Sequence, residues 1–350
     1  MKLPHHFAGA SLALALAACS GAQTGSTATV VPSIVAPQTA SVTRAATPGV
    51  KNGQQIAGAH KAPTALILVV NNPTGELGTI SEYAETATGN VAPTSVIANH
   101  NGGPRAIAFS ASNNRFGIAN GNIDNFLSVG AETFSLFGEI VTEIECFAKP
   151  SQTNGIAFDS KGHIYVSAFL PEGGRGIEVF APGANSCAKP KRTISDEGGL
   201  AIDSKDLLYV ANSTTATIDA FPSGSGTMTA QIGGSNTGLV APGAVAIDAS
   251  RNVYVFDNTT ATISEFAAGA TGNVAPIRTI AGSNTGLTIG NGFNCALAVS
   301  KNSGNIFVSN PTSNAILIFA ATARGNVAPI QTIAGSTTQI SNPLGIAVTE

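Results

Sequence analysis

Six short apolar segments, each built around an alanine, recur along the chain: Ala106-Ile107-Ala108-Phe109, Gly155-Ile156-Ala157-Phe158, Leu200-Ala201-Ile202, Val245-Ala246-Ile247, Leu297-Ala298-Val299 and Gly345-Ile346-Ala347-Val348. The marker residues Ala108, Ala157, Ala201, Ala246, Ala298 and Ala347 are 49, 44, 45, 52 and 49 residues apart. A second segment follows each of the first five: Phe116-Gly117-Ile118-Ala119-Asn120, Ile164-Tyr165-Val166-Ser167, Leu208-Tyr209-Val210-Ala211-Asn212, Val253-Tyr254-Val255-Phe256-Asp257 and Ile306-Phe307-Val308-Ser309-Asn310. A third segment comes after a polar turn, as in Ile177-Glu178-Val179-Phe180, Ile218-Asp219-Ala220-Phe221, Ile263-Ser264-Glu265-Phe266 and Ile316-Leu317-Ile318-Phe319. A fourth is Ile277-Arg278-Thr279-Ile280 and Ile330-Gln331-Thr332-Ile333. Those last two follow copies of Gly-Asn-Val-Ala-Pro, and a further copy occupies 89–93. Repetition at this period means units that stack because none can bury its apolar face alone.

The four segments read as four strands, a to d. Strands a and b are apolar on both faces, which suits a sheet covered on both sides. Strand c alternates, as an outer strand should. Four strands per 44–52 residues make a β-propeller blade, with a nearest the axis. Leu66-Ile67-Leu68-Val69-Val70-Asn71 matches a b strand and leads into Ile80-Ser81-Glu82-Tyr83 and a d strand near Val96-Ile97. It has no a strand ahead of it, since Ile56-Ala57-Gly58 lacks the turn aspartate. The chain meanwhile ends just after an a motif. Residues 342–350 should therefore complete the blade begun at 65–98. The expected fold is all-β: a six-bladed propeller of four-stranded antiparallel blades over 64–350, closed by its C-terminal strand. The pattern resembles the NHL-repeat propellers and the wider six-bladed group that includes lactonase-like proteins. That resemblance is specific for architecture, because propellers host many functions.

Composition narrows the partners. Only 11% of residues are charged and the net charge is −3, too near neutral for a basic nucleic-acid groove. Ser, Thr, Asn and Gly must cover the surface, which reads as extracytoplasmic. The 43% apolar share is enough for a large core and excludes global disorder.

The N-terminus agrees with export. Lys2 precedes an apolar run from Phe7 to Ala18. That run is shorter than the roughly 20 residues that span a bilayer, and it fits a signal-peptide core. It ends Leu16-Ala17-Ala18-Cys19. This resembles the lipobox of bacterial lipoproteins, which implies cleavage before Cys19 and acylation of its thiol and new amine. Residues 1–18 are then a signal peptide and Cys19 a lipid anchor. Ser20 follows, and in two-membrane bacteria the family's sorting behaviour implies the outer membrane. Residues 19–63, rich in Ala, Thr, Ser and Pro, read as a tether with a root-mean-square reach of about 35–40 Å.

Candidate chemistry lies at one end of the strands. The b strands end in Asn71, Asn120, Ala168, Asn212, Asp257 and Asn310. These polar side chains can form a ring beside a ligand site, or cap the b–c turns. Asp159, Asp203 and Asp248 precede a–b turns and read as caps of those turns. Ahead of strand a, one column holds Pro104, Thr153, Glu197, Pro242, Asn294 and Pro343, and the next Arg105, Asn154, Gly198, Gly243, Cys295 and Leu344. The resemblance to lactonase-like propellers implies a divalent metal held by inner-strand oxygens. Only Glu197, Asn154, Asn294 and Asp257 could serve, against the 6–8 oxygens that calcium takes. No cofactor is expected. Lyases on related propellers rely on histidine, but His163 reads as an exposed turn residue and His100 lies in a d–a loop, neither with an evident partner. From strand b to strand c the usual spacing is 8 residues (Val210 to Ile218, Val255 to Ile263, Val308 to Ile316); two blades exceed it by three, and the extra residues include Gly75 and Glu76 in one loop and Glu172, Gly173, Gly174 and Arg175 in the other. They flank the blade that begins near Arg105, so partner binding is expected there.

Cys146 falls near a d-strand end and Cys187 in a c–d loop, on opposite faces by this reading, so no bridge between them is expected. The absence of a convincing catalytic set favours a monomeric, lipid-anchored binding or scaffolding module for a protein, glycan or small-molecule partner of the envelope. The alternative is a metal-dependent lactonase-like hydrolase, or a lyase, at the channel mouth.

Overall fold

The computed structural model describes residues 65–73, 78–98, 103–121, 130–135, 140–144, 153–169, 174–186, 188–289 and 296–349. The first blade takes β1 (Leu66–Asn71), β2 (Thr79–Ala84) and β3 (Ser95–Ala98) from the start of this region. The second is β4 (Gly103–Ser110), β5 (Arg115–Gly121), β6 (Gly130–Ser135) and β7 (Ile140–Ile144); the third is β8 (Thr153–Phe158), β9 (Ile164–Phe169), β10 (Arg175–Phe180) and β11 (Arg192–Ile194). The fourth is β12 (Gly199–Ile202), β13 (Leu207–Asn212), β14 (Thr217–Pro222) and β15 (Ala230–Gly233), and the fifth β16 (Pro242–Ile247), β17 (Val253–Asp257), β18 (Thr262–Phe266) and β19 (Arg278–Ile280). The sixth is β20 (Leu297–Val299), β21 (Ile306–Asn310), β22 (Ala315–Phe319) and β23 (Gln331–Ala334), and the last strand is β24 (Pro343–Val348). They pair as six four-stranded antiparallel sheets, one of which runs β24-β1-β2-β3. The expected six-bladed, circularly closed propeller is the fold.

Closure follows from burial. β24 is buried along its whole length and pairs Val348 with Ile67, Ala347 with Leu68 and Ile346 with Val69. The Leu66 N–H donates to Thr349 Oγ1 at 2.8 Å, and the Thr349 N–H returns to the Leu66 carbonyl at 2.9 Å. Ile346 and Val348 pack with Ile67, Val69 and Phe307, while Ala347 packs with Leu68, Ile107 and Phe116. The strand thus seals the seams to the sixth and second blades at once. Every seam is built alike, because each apolar cluster of the core joins two neighbouring blades. That is why strands a and b need apolar residues on both faces.

The inner strands crowd at the axis. The position two before each marker alanine holds Ala106, Gly155, Gly199, Ala244, Ala296 and Gly345. A Cβ at Gly199 would lie 2.6 Å from the Gly243 carbonyl oxygen, and one at Gly155 2.8 Å from that of Gly198. Only a minimal side chain lets neighbouring a strands meet there.

The Gly-Asn-Val-Ala-Pro motif ties blade to blade. Gly272 donates its N–H to the Gln231 carbonyl of the preceding blade at 2.6 Å, and its own carbonyl accepts from Gly233 at 3.1 Å. Asn273 Oδ1 then accepts the Asn236 N–H at 2.7 Å, capping the short 3-10 helix Ser235–Thr237 from across the seam. Asn326 does the same for Asn284 and Asn90 for Thr337, at 2.7 and 2.8 Å. The motif therefore runs alongside the outer strand of the blade before it, in a parallel bridge.

The same arrangement recurs between the second and third blades. Ile144, at the end of β7, is bridged to Ser186 in the β10–β11 connection. The described end of this d strand and the c–d connection of the next blade meet there. Cys146, Cys187 and Cys295 themselves lie outside the described residues. His163 differs from expectation. Its Nδ1 lies 2.8 Å from Asp159 Oδ2 and its side chain is only 22% exposed. Asp159 meanwhile accepts the Lys161 and His163 N–H groups at 3.0 and 2.9 Å, so the turn that the carboxylate caps also holds the imidazole. Asp203 and Asp248 cap their turns in the same way.

Candidate functional site

The d–a and b–c loops share one face of the ring, where the a strands begin and the b strands end. Each a strand whose bulge is defined carries it at the column of Arg105. Pro104 and Ala106 pair with Asn120 and Ala119, leaving Arg105 extra; Asn154, Gly243 and Leu344 occupy the same place in their blades. A bulge frees its residue from the ladder and re-aims its side chain. The Arg105 stem crosses Gly121, where a Cβ would lie 2.3 Å from Nε. Gly78, at the end of one long b–c loop, abuts Pro104 so closely that a Cβ there would meet the proline ring at 2.2 Å. Gly78, Pro104, Arg105 and Gly121 therefore form one corner of the face. Burial lowers the pKa of the half-buried guanidinium.

The polar column at the b-strand ends is committed to the chain itself. Asp257 Oδ2 accepts the Val240 and Ala241 N–H groups at 2.7 and 2.8 Å, and Oδ1 those of Thr259 and Thr260 at 3.0 and 3.1 Å. Asn71 accepts from the Ser341 N–H at 3.2 Å and donates to Ser81 at 2.9 Å. Asn310 donates to the Gly286 carbonyl at 2.8 Å and accepts from Thr288. Asn212 caps Thr214 and Thr215 and donates to Asp196 Oδ1 at 2.8 Å. Each of these four stitches the segment entering its own a strand to the end of its b strand. Asn120 is buried at the equivalent place.

The second long loop leads elsewhere. Arg175 is ion-paired with Glu197, which also accepts from Thr214 at 3.0 Å. This ties the third blade to the fourth, not to the corner at Arg105. Beneath lies a pair that sequence reading did not single out, the buried carboxyls of Asp196 and Asp219. Burial above all pushes Asp196 up to about 7; the Glu197 N–H opposes this and the Asp219 carboxyl adds to it. The signal was present in the register. Asp196 stands two residues after the d-strand isoleucine, where other blades have Gly234, Gly282 and Gly335. Glu172, Gly173, Gly75, Glu76, His100, Asn294 and Cys19 lie outside the described residues.

A divalent cation does not fit the oxygens that were considered for it. Asp257 has both oxygens filled by backbone donors, Glu197 is paired with Arg175, and Asn154 is the remaining described candidate. Among the described residues no group of three or more His, Cys, Asp and Glu side chains could hold a metal.

A six-bladed β-propeller with a loop-lined mouth is the class that this fold and face define. No protein-family model matches the sequence, and no curated protein matches it. Solved structures share the fold. A protein of unknown function from Bacteroides caccae aligns with TM-score 0.56 at 9% identity, over 82% of this chain and all of that one. A nidogen/laminin complex gives 0.58 at 14%, over 82% and 98%. The periplasmic gluconolactonase of Pseudomonas aeruginosa gives 0.53 at 11%, over 81% and 99%.

Proposed function

We propose that this protein is a lipid-anchored, extracytoplasmic binding module of the bacterial envelope, and that it takes an acidic group of its partner at Arg105. Arg105 carries the reading. It is a half-buried cation on a bulge, beside the mouth, whose guanidinium has no acidic partner among the described residues. A buried charge left without a counter-charge costs stability, so a ligand that supplies one is favoured. The anchor reading rests on Leu16-Ala17-Ala18-Cys19 behind its apolar core, and the tether would hold the propeller clear of the lipid.

Capture from envelope extract by the wild-type protein, Arg105→Gln and Lys161→Ala tests the site. Lys161 is exposed on the opposite, a–b face. Partners held at the mouth are lost with Arg105→Gln and kept with Lys161→Ala. Equal capture by all three refutes the site. The hydrolase reading has in its favour the gluconolactonase among the structural neighbours. A stoichiometric divalent ion in the purified protein would support it over binding alone.

A further inference from the structure

The latch described above covers four of the six outer edges. Gly272 bridges to Ile232, Gly325 to Ile280, Gly89 to Ile333 and Ser186 to Ile144, each in parallel register, on β15, β19, β23 and β7. Each bridging residue stands fifth or sixth after its c strand, in a connection of ten or eleven residues: 85–94, 181–191, 267–277 and 320–330. The β6–β7 connection has four residues and the β14–β15 connection seven. The first of these is too short to hold a residue at the bridging place, so the second blade cannot latch β3. At β11 the seven-residue connection still approaches the edge, since a Cβ on Gly226 would lie 4.0 Å from the Thr193 carbonyl oxygen, and Ile194 is buried. At β3 no described residue bridges the edge.

The difference shows in burial. Ile144, Ile194, Ile232, Ile280 and Ile333 are buried, whereas their counterpart Ile97 is half-buried and its neighbour Val96 is 41% exposed. In a latch the carbonyl before the isoleucine accepts the bridging N–H and the N–H after it donates back, as Thr279 and Ala281 do with Gly325 at 2.7 and 3.1 Å. On β3 the groups in that place belong to Val96 and Ala98. A carboxyl group lies unpartnered beside them. Glu82 stands opposite Ser95 across β2 and β3, is 6% exposed, and has no hydrogen-bond partner for Oε1 among the described residues. The same place in the fifth blade holds Glu265, ion-paired with Arg278 opposite it, and Arg278 also donates to the Tyr254 hydroxyl at 2.8 Å. In the first blade Ser95 and Leu68 stand where that arginine and tyrosine do. Burial raises the Glu82 pKa, and a cation brought beside the carboxyl would relieve that cost.

We propose that β3 is a docking edge for an extended segment of a partner protein, which adds to the first blade as a parallel fifth strand and sets a lysine or arginine against Glu82. The register follows from the latches. Two residues before the bridging one, each latch has an alanine packed on the seam core: Ala87, Ala184, Ala270 and Ala323. With the bridging residue beside Ile97, that place lies beside Ser95. A basic side chain there starts two strand spacings, about 10 Å, from the Glu82 backbone and reaches back over the short Ser95 side chain. A second copy of this chain is disfavoured as the occupant, because β3 itself offers Ser95, Val96, Ile97 and Ala98 and no cation for Glu82. The edge is separate from the mouth and does not rest on Arg105.

The probe is a fluorescent peptide with this chain's own latch sequence, residues 320–330, carrying Ala323→Lys or Ala323→Glu. Binding to the full chain is read by anisotropy. The lysine peptide should bind about tenfold tighter than the glutamate peptide. With Glu82→Gln in the protein that ratio should fall to about twofold. A lysine peptide that also carries Gly325→Pro lacks the N–H that meets the Val96 carbonyl and should bind about tenfold more weakly. That change is in the peptide and leaves the fold of the protein untouched. Arg105→Gln should leave all these affinities unchanged, so failure at this edge is distinct from failure at the mouth. No binding by the lysine peptide, equal binding of the lysine and glutamate peptides, an unchanged ratio in Glu82→Gln, or undiminished binding of the proline peptide overturns the proposal. So does a dimer in sedimentation that Ala98→Pro disperses, which would put a second copy on the edge.

Discussion

Ending the chain after Ser341 removes β24 and should unfold or aggregate the propeller. Leu344, Ile346 and Val348 are 6%, 4% and 8% exposed. Burying each contributes about 1.5–3 kcal/mol, so their loss together costs about 5–9 kcal/mol. The pairing with β1 goes as well, leaving an open strand edge and two uncovered seams. Net domain stability is typically about 5–15 kcal/mol, so little or none remains. Two point variants grade the effect. Ile346→Ala leaves a cavity against Ile67, Val69 and Phe307 and should cost about 2–5 kcal/mol. Ile330→Ala deletes the same atoms from a side chain 55% exposed and should stay within about 0.5 kcal/mol. Thermal unfolding followed by circular dichroism, with limited proteolysis, reads all three. A synthetic peptide of residues 342–350 should restore the truncated chain, since β24 is a terminal strand that only has to dock. A truncated protein that melts like the intact one, or an Ile346→Ala variant no weaker than Ile330→Ala, would refute the account of closure.

The remaining predictions concern single groups. Cys19→Ser should abolish lipid modification and release the protein from membranes, which detergent partitioning reads. Asn273→Ala removes the acceptor that caps Ser235–Thr237 from the neighbouring blade and should cost about 0.5–2 kcal/mol by chemical denaturation. Asp196 has a folded pKa raised to about 7 from an ordinary 3.8, so the native state holds a proton that the unfolded chain gives up between those values. Its contribution is complete below the unfolded value and is lost as pH rises through about 7. Asp196→Asn should therefore flatten the pH dependence of stability across that window and stabilise the protein above it, as pH-resolved melting will read.

The sequence made the ring legible wherever a blade keeps its apolar signature. The a and b strands and the closing strand repeat a pattern that burial between two neighbours demands. The outer strands of the second blade were harder to see. β6 has Ala131 where other c strands begin with Ile177, Ile218, Ile263 or Ile316, although Phe134 keeps the place of Phe180, Phe221, Phe266 and Phe319 and stacks on Phe116. The site was legible as residues but not as partnerships. Asn71 reaches Ser341 across 270 positions of chain, and Asn273 caps a helix in the blade before its own. The first contact exists only once the ring has closed and the second only once two blades have packed, so no local pattern announces them. The turn aspartates, whose partners lie two and four residues away, were readable for the same reason in reverse.

That difference bears on where ligand preference can be written. The b-strand column looks like a binding ring because it repeats a polar residue, but Asp257, Asn71, Asn212 and Asn310 spend their donors and acceptors holding the entry to each a strand. Repetition there follows from one structural task performed at blade after blade. The bulge column has no such task. Its residues leave the ladder unpaired, and they vary from Arg105 to Asn154, Gly243 and Leu344 with no change in the strand around them. The next residue inward is held to glycine or alanine by the crowding of the inner strands. Room at the bulge column differs from blade to blade: a Cβ at Gly243 would lie 1.9 Å from Asn258 Nδ2, whereas Arg105 lays its long stem across Gly121. Where the column is open, as at Arg105, its residue can change while the ring stays intact; Leu344, buried in the closing strand, is not such a position. In this chain the long cationic side chain at that column is Arg105, and the face should be asymmetric about it.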